Sequence, residues 1–166
     1  MKLELSDGSA VQIDRKYLPL VKQFTWRTER REHTSYAVAT AISPTTGKAT
    51  TIRMHAVIMG TVGMGRDLKI DHRDGDGLNN RRRNLRKADN FQNVWNKSKK
   101  NGYQLPKGVT KLKRLRVRPY QARIACYGNQ MHLGYFATAS EAARVYDKAA
   151  KKFFGRFART NGKVAA

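Results

Sequence analysis

Cysteine is nearly absent: Cys126 stands alone among 166 residues, which excludes an internal disulfide and any zinc site built on paired thiolates. Long apolar runs are also missing. No stretch approaches the ~18–20 residues that span a bilayer, and the opening MKLELSDGSA lacks the apolar core of a secretion signal, so a soluble intracellular protein is expected. Acidic residues are the third scarcity, with 12 Asp plus Glu set against 34 Lys plus Arg, a formal net charge of +22. Such a field attracts polyanions. Nucleic acid is favoured over an anionic membrane because no basic segment is joined to a strongly apolar helical face. With 40% apolar residues there is enough material for folded cores, and the length suits two small domains.

The charge is unevenly spread. Residues 1–79 carry a net of only +3, residues 80–106 carry +7 and residues 107–166 carry +12, so phosphate contacts are expected mainly in the second half. Three of the few carboxylates, Asp71, Asp74 and Asp76, lie together. In a polyanion-binding protein such a cluster repels the partner unless a cation mediates, although an ordinary Asp/Gly turn gives the same pattern.

Alternating apolar and polar residues at 2–5 and 11–13, with the turn Ser6-Asp7-Gly8 between them, predict a hairpin. Strands fit 36–42 and 49–54, a short helix fits 55–60, and Phe24 and Trp26 are the expected aromatic core. The run NKSKKNGYQLP at 96–106 reads as a linker. Beyond it, strands are expected at 108–112, 120–125 and 130–136, with a turn at Tyr127-Gly128-Asn129. A helix then runs from Ser140 to Phe154. Thr138 and Glu141 form the capping-box pattern, and Ala142, Val145, Tyr146, Ala149 and Phe153 recur at helical spacing.

The segment IDHRDGDGLNNRRRNLRKADNFQNVWN, residues 70–96, resembles the HNH nuclease motif in its phage and intron form, where Asn replaces the final His. The matching residues are Asp71-His72, the Gly/Asn-rich turn, Asn84-Leu85-Arg86 and Asn93. The resemblance implies a ββα-metal unit at about 68–96 that hydrolyses DNA to 5′-phosphate and 3′-hydroxyl ends with one Mg²⁺ or Mn²⁺, without zinc. It also implies a phage-infected or bacterial cell, in cytoplasm or nucleoid. In-line attack on a phosphodiester needs a base for water, a cation for the leaving oxygen and a group that steadies the base. His72 suits the first task because its ordinary pKa lies near neutrality. Asp71 and Asn93 suit the second, since hard divalent ions prefer oxygen donors, and Asn84 suits the third. His55 is either support for this site or core. Arg81, Arg82, Arg83 and Arg86 are expected to grip the phosphate backbone.

Residues 107–162 resemble the plant APETALA-type (ethylene-response-factor-like) DNA-binding domain through Lys107-Gly108-Val109, Gln121-Ala122-Arg123-Ile124, Leu133-Gly134-Tyr135-Phe136 and the helix that follows. In that family a three-stranded sheet enters the major groove. The resemblance makes Lys107, Lys111, Lys113, Arg114, Arg116, Arg118, Tyr120, Arg123, Gln130 and His132 the candidate DNA contacts. Tyr120 and His132 depart from the tryptophans usual there, so base preference does not carry over.

The expected class is therefore α+β. A small N-terminal antiparallel sheet and the nuclease unit occupy 1–95, a linker 96–106, and a three-stranded antiparallel sheet packed on one helix 107–162. Double-stranded DNA is the expected partner, with no membrane and no obligatory protein partner. A DNA-binding regulator with a vestigial nuclease site is the alternative; binding of structured RNA is weaker, because no stacking-platform signature is present.

Overall fold

The computed structural model describes residues 1–43, 46–64, 68–98 and 104–162. The chain is a mixed α and β protein of several small antiparallel sheets and few helices, divided by its contacts into two compact units, Met1–Asn90 and Phe91–Ala166. Among the described residues no helix is long and apolar enough to cross a membrane.

In the first unit, β1 (Lys2–Glu4) and β2 (Ala10–Gln12) form the expected hairpin. A short helix α1 (Leu18–Val21), opened by Pro19 in its first turn, follows. A three-stranded sheet comes next, with β4 (Ser35–Ile42) between β3 (Arg27–Arg30) and β5 (Ala49–Arg53), and α2 (Met54–Ile58) closes against it. The core gathers Val11, Ile13, Val21, Trp26, Ala37, Ile52 and Met54, and Phe24 packs edge-on against Trp26 as the sequence leads one to expect. Two last strands, β6 (Lys69–His72) and β7 (Leu85–Ala88), pair antiparallel around residues 73–84. That loop is anchored to β2, where Gln12 N–H donates to Leu78 O and Asn80 N–H donates to Gln12 O.

The second unit begins inside the helix α3 (Asn90–Asn96). The sequence places a linker at 96–106, of which 99–103 lie outside the described residues; by contacts the division falls at Asn90 and Phe91. The reason is that α3 turns its aromatic residues to partners in the second unit, with Trp95 stacked on Phe154 at 4.5 Å. Strands β8 (Val109–Lys111), β9 (Tyr120–Cys126) and β10 (Asn129–Phe136) form one antiparallel sheet with β9 in the middle. Helix α4 (Ala139–Phe154) packs on it through Ala142, Ala143 and Tyr146, small residues that let helix and sheet approach closely. The capping box is present: Thr138 Oγ1 accepts from Glu141 N–H while Glu141 Oε2 accepts from Thr138 N–H. Gly108 lies so close to the Tyr146 ring that a Cβ there would overlap it.

Candidate active site

The site grows from the β6–β7 hairpin. Asp71 and His72 are adjacent on a strand and so point to opposite faces, and both are buried. Asp71 stands opposite Arg86 in the strand register. Its Oδ2 accepts from Arg86 Nε at 2.7 Å and lies 2.6 Å from the second guanidinium nitrogen. Arg86 is 6% exposed. The expectation that it grips phosphate therefore gives way to a different role, because a buried guanidinium fixed on a buried carboxylate neutralises that carboxylate. Its neighbours Arg82 and Arg83 are exposed and Arg81 is half-buried.

His72 closes β6 and turns inward, with its ring 5.0 Å from that of His55 and 5.8 Å from that of Tyr36. Its Nε2 lies 3.4 Å from Asn80 Oδ1. Asn80 is buried and its Nδ2 donates to Gly77 O, so the amide oxygen is the atom it turns to His72. An acceptor facing Nε2 favours the tautomer with its proton there. Burial pushes the His72 pKa below its ordinary value, and the opposing pull of Asn80 and of the Asp74, Asp71 and Asp76 carboxylates does not offset it. The imidazole is thus neutral at pH 7, the form a general base requires. Asn80 was not singled out from sequence, where it is one of two consecutive asparagines in a turn.

Asn84 serves the turn rather than the imidazole. Its Nδ2 donates to Asp74 Oδ1 and Asn79 O, and its Oδ1 accepts from Asp74 N–H. The amide hydrogens the sequence reading assigned to steadying the base are spent on the loop, and the loop in turn holds His72 through Gly75 N–H to His72 O at 2.9 Å. Burial alone would raise Asp74; hydrogen bonds from Asp76 N–H, Asn84 and Asn79 together outweigh it and hold the carboxyl below its ordinary range. Gly77 is required by close approach, since a Cβ would collide with the Ser35 carbonyl and the Tyr36 ring.

His55 belongs to the same cluster. It is buried, edge-on to Tyr36 and His72, and its pKa is lowered to about 3 by burial first, then by the electrostatic opposition of His72 and Arg53 to a second proton in the cluster. Below pH 6.5 the unfolded chain takes up a proton that the folded chain refuses, so stability is whole above pH 6.5 and falls as pH drops towards 3. The loss is up to about 1.4 kcal/mol per pH unit for this residue. Urea unfolding at pH 7.5, 6 and 5 is expected to show that decline, and His55→Phe to flatten it; an equal decline in the variant would contradict the assignment.

Asn93 lies on α3 in the second unit, half-buried. Among the described residues its amide has no hydrogen-bond partner. Also among the described residues, no group of three His, Cys, Asp or Glu is placed to hold a metal ion. A carboxylate and an uncommitted amide oxygen are the donors hard divalent ions prefer, and such ions keep waters rather than demand a full protein shell. Asp71 in the first unit and Asn93 in the second each carry an oxygen donor of the type hard divalent ions accept.

On the β8–β9–β10 sheet, Ala122 and Ile124 are buried while Gln121 and Arg123 alternate to the other face. Arg123 stands opposite His132, and Gln121 opposite Tyr135. Arg123 donates to Gln130 Oε1 at 3.3 Å, and Gln121 Nε2 lies 3.0 Å from His132 Nδ1. Lys111 sits over the Tyr120 ring, and Lys113, Arg114, Arg116 and Arg118 are exposed in the loop between β8 and β9. Gln121 and Tyr135 share this face with the predicted set, a placement strand alternation alone could have revealed. Lys107 does not belong with them. Its Nζ donates to Trp95 O at 2.6 Å and Lys97 O at 2.7 Å, and burial lowers its pKa to about 8.

Comparison with known proteins bears on the first of these sites. The chain is 35% identical over 95 residues to an uncharacterized HNH endonuclease of Acanthamoeba polyphaga mimivirus. This likeness supports an HNH family. The match takes in 57% of this chain, and the chain spans about half the length, 48%, of that curated relative. No protein-family model matches the chain, and no solved structure does.

Proposed function

We propose that the chain is a metal-dependent DNA endonuclease of the homing or nicking type, carrying an HNN variant of the HNH motif and targeted by an APETALA-type module in its second unit. The observation that carries this reading is the buried, neutral His72, with Asn80 facing its Nε2, one residue from the buried carboxylate of Asp71. His72 takes a proton from water. The water oxygen bonds to phosphorus in line with the 3′ oxygen; the phosphorus–O3′ bond breaks, its electron pair goes to O3′, and O3′ takes a proton from solvent, which leaves 5′-phosphate and 3′-hydroxyl ends. Asp71 and Asn93 would hold one Mg²⁺ or Mn²⁺, which when bound supplies stabilisation of charge on the phosphate and leaving oxygens. Asn84 keeps the 73–84 loop in shape. Strands β6 and β7 with α3 correspond in order to a ββα-metal unit. Exposed Arg82 and Arg83 would meet the DNA backbone, and the outer face of the β8–β9–β10 sheet would supply targeting through Arg123, Gln130 and His132.

One observation favours a second reading, a DNA-binding regulator with a vestigial site: Asp71 already has a partner in Arg86. Supercoiled plasmid incubated with the protein in Mg²⁺, Mn²⁺ or chelator separates the two. Conversion to nicked or linear DNA in either metal and none in chelator is expected. Tight binding with intact plasmid under every condition would leave only the regulator.

A further inference from the structure

The second unit carries basic side chains on two opposite faces. Helix α4 buries Ala142, Ala143, Tyr146, Ala150 and Phe154 and packs on the sheet through the first two, against Val109 and Ala122. Gln121 and Arg123 stand on the far side of that sheet. At about 3.6 residues per turn, Arg144, Lys148, Lys151 and Lys152 fall together on the side of α4 turned away from the sheet, and all four are exposed.

Like charges one turn apart repel each other and weaken a helix. The two carboxylates of α4 are committed elsewhere. Glu141 closes the capping box, and Asp147 Oδ1 accepts from Asn161 Nδ2 at 2.8 Å. Among the described residues no ion pair joins any of the four cations to a carboxylate. The Lys152 ammonium lies 5.8 Å from the centre of the neighbouring Phe153 ring.

A polyanion matches such a row. An anionic membrane matches it poorly, because a helix seated on lipid needs an apolar face beside its charges, and that face of α4 is covered by the sheet. The row is also badly placed to hold a duplex bound on the far side of the sheet. A helix is about 10–12 Å thick with its side chains, and the sheet lies beyond it, whereas charge acts over about 8 Å at physiological ionic strength. DNA lying against Gln121 and Arg123 is therefore screened from α4, and the row is open to other DNA.

We propose that the outer side of α4 is a second DNA-binding surface, on which Arg144, Lys148, Lys151 and Lys152 take the phosphate backbone of a second duplex, so that one protein joins two stretches of DNA. This rests on the reading of the sheet's outer face as the targeting surface. Phosphate contacts carry no base sequence, so the second site accepts any duplex. Its log affinity falls with log salt at a slope near about −3.6, from four phosphates at about 0.9 each.

The test uses the full chain in chelator with two short duplexes, one carrying a donor dye and one an acceptor, and the mass of the complex from analytical ultracentrifugation. Wild type is expected to give energy transfer, with one protein to two duplexes. The variant combining Arg144→Gln, Lys148→Gln, Lys151→Gln and Lys152→Gln keeps good helix formers. It should bind a single duplex within a few-fold of wild type and lose the transfer. Exchanging charge for like charge, Arg144→Lys with Lys148→Arg, Lys151→Arg and Lys152→Arg, should retain it. Undiminished transfer in the glutamine variant, or its loss in the like-charge variant, would overturn the inference. So would a tenfold or greater drop in single-duplex affinity for the glutamine variant, which would place the row on the first duplex. A complex holding two copies of the protein would assign the bridging to a dimer and overturn it, as would tighter binding of wild type to phosphatidylserine vesicles than to duplex. A wild type that binds no duplex removes the targeting reading and this inference together, whereas one that binds a single duplex and never a second removes this inference alone.

Discussion

His72→Ala is expected to lower single-turnover DNA cleavage by about 10²–10⁴-fold, the contribution of a well-placed general base, while leaving affinity for DNA within a few-fold of wild type. The separation follows from geometry. His72 is buried beneath Tyr36 and against His55, whereas the side chains expected to meet phosphate are exposed arginines and lysines elsewhere. Alanine leaves a cavity, so the variant should also unfold at lower denaturant concentration; a circular dichroism spectrum matching wild type at the assay temperature assures that folded protein is compared. Cleavage within threefold of wild type by the folded variant would remove His72 from the chemistry.

The second large effect is on stability. Arg86→Leu removes the guanidinium from beside the buried Asp71 carboxylate, and is expected to cost about 3–5 kcal/mol in urea unfolding at pH 7, the range for breaking a buried pair from one side. Adding Asp71→Leu should recover most of that loss, because two apolar side chains facing each other across β6 and β7 need no charge compensation. A single variant that unfolds with the wild-type midpoint would mean that the ion pair carries little weight. The double variant should nevertheless fail to cut, since its carboxylate is gone. Stability and activity would then be seen to place opposite demands on the same pair.

The parts of this protein that follow periodic patterns were legible in the sequence. The β1–β2 hairpin, strands β4 and β5 and helix α4 with its capping box follow alternation, helical spacing and turn chemistry. Strand β3 was not legible: Arg27-Thr28-Glu29-Arg30 has no apolar alternation, and pairing with β4 makes it a strand. Helix α1 is too short for a period to show. In the candidate site, the residue types at positions 71, 72, 84 and 93 single out a segment, but do not show what each side chain touches. Arg86 and Lys107 read as surface cations because charge is normally solvated, but a cross-strand carboxylate holds Arg86 buried and the carbonyls at a helix end hold Lys107 half-buried. The strand register could have flagged Arg86, opposite Asp71. Nothing local could have flagged Lys107, whose partners lie 10 and 12 residues away. Asn80 and Asn79 are indistinguishable as letters, yet only the fold turns the first towards His72 and the second towards Asp74.

The proposed function requires hydrolysis at phosphorus by a water that His72 deprotonates beside Asp71. Cleavage of a duplex in ¹⁸O-enriched water with Mg²⁺, followed by mass analysis of the ends, measures this directly. The expected result is one heavy oxygen in each new 5′-phosphate, an unlabelled 3′-hydroxyl on the other side of the cut, and no product when Asp71 is alanine. Label at the 3′ end, or equal product from the Asp71→Ala protein, would contradict it.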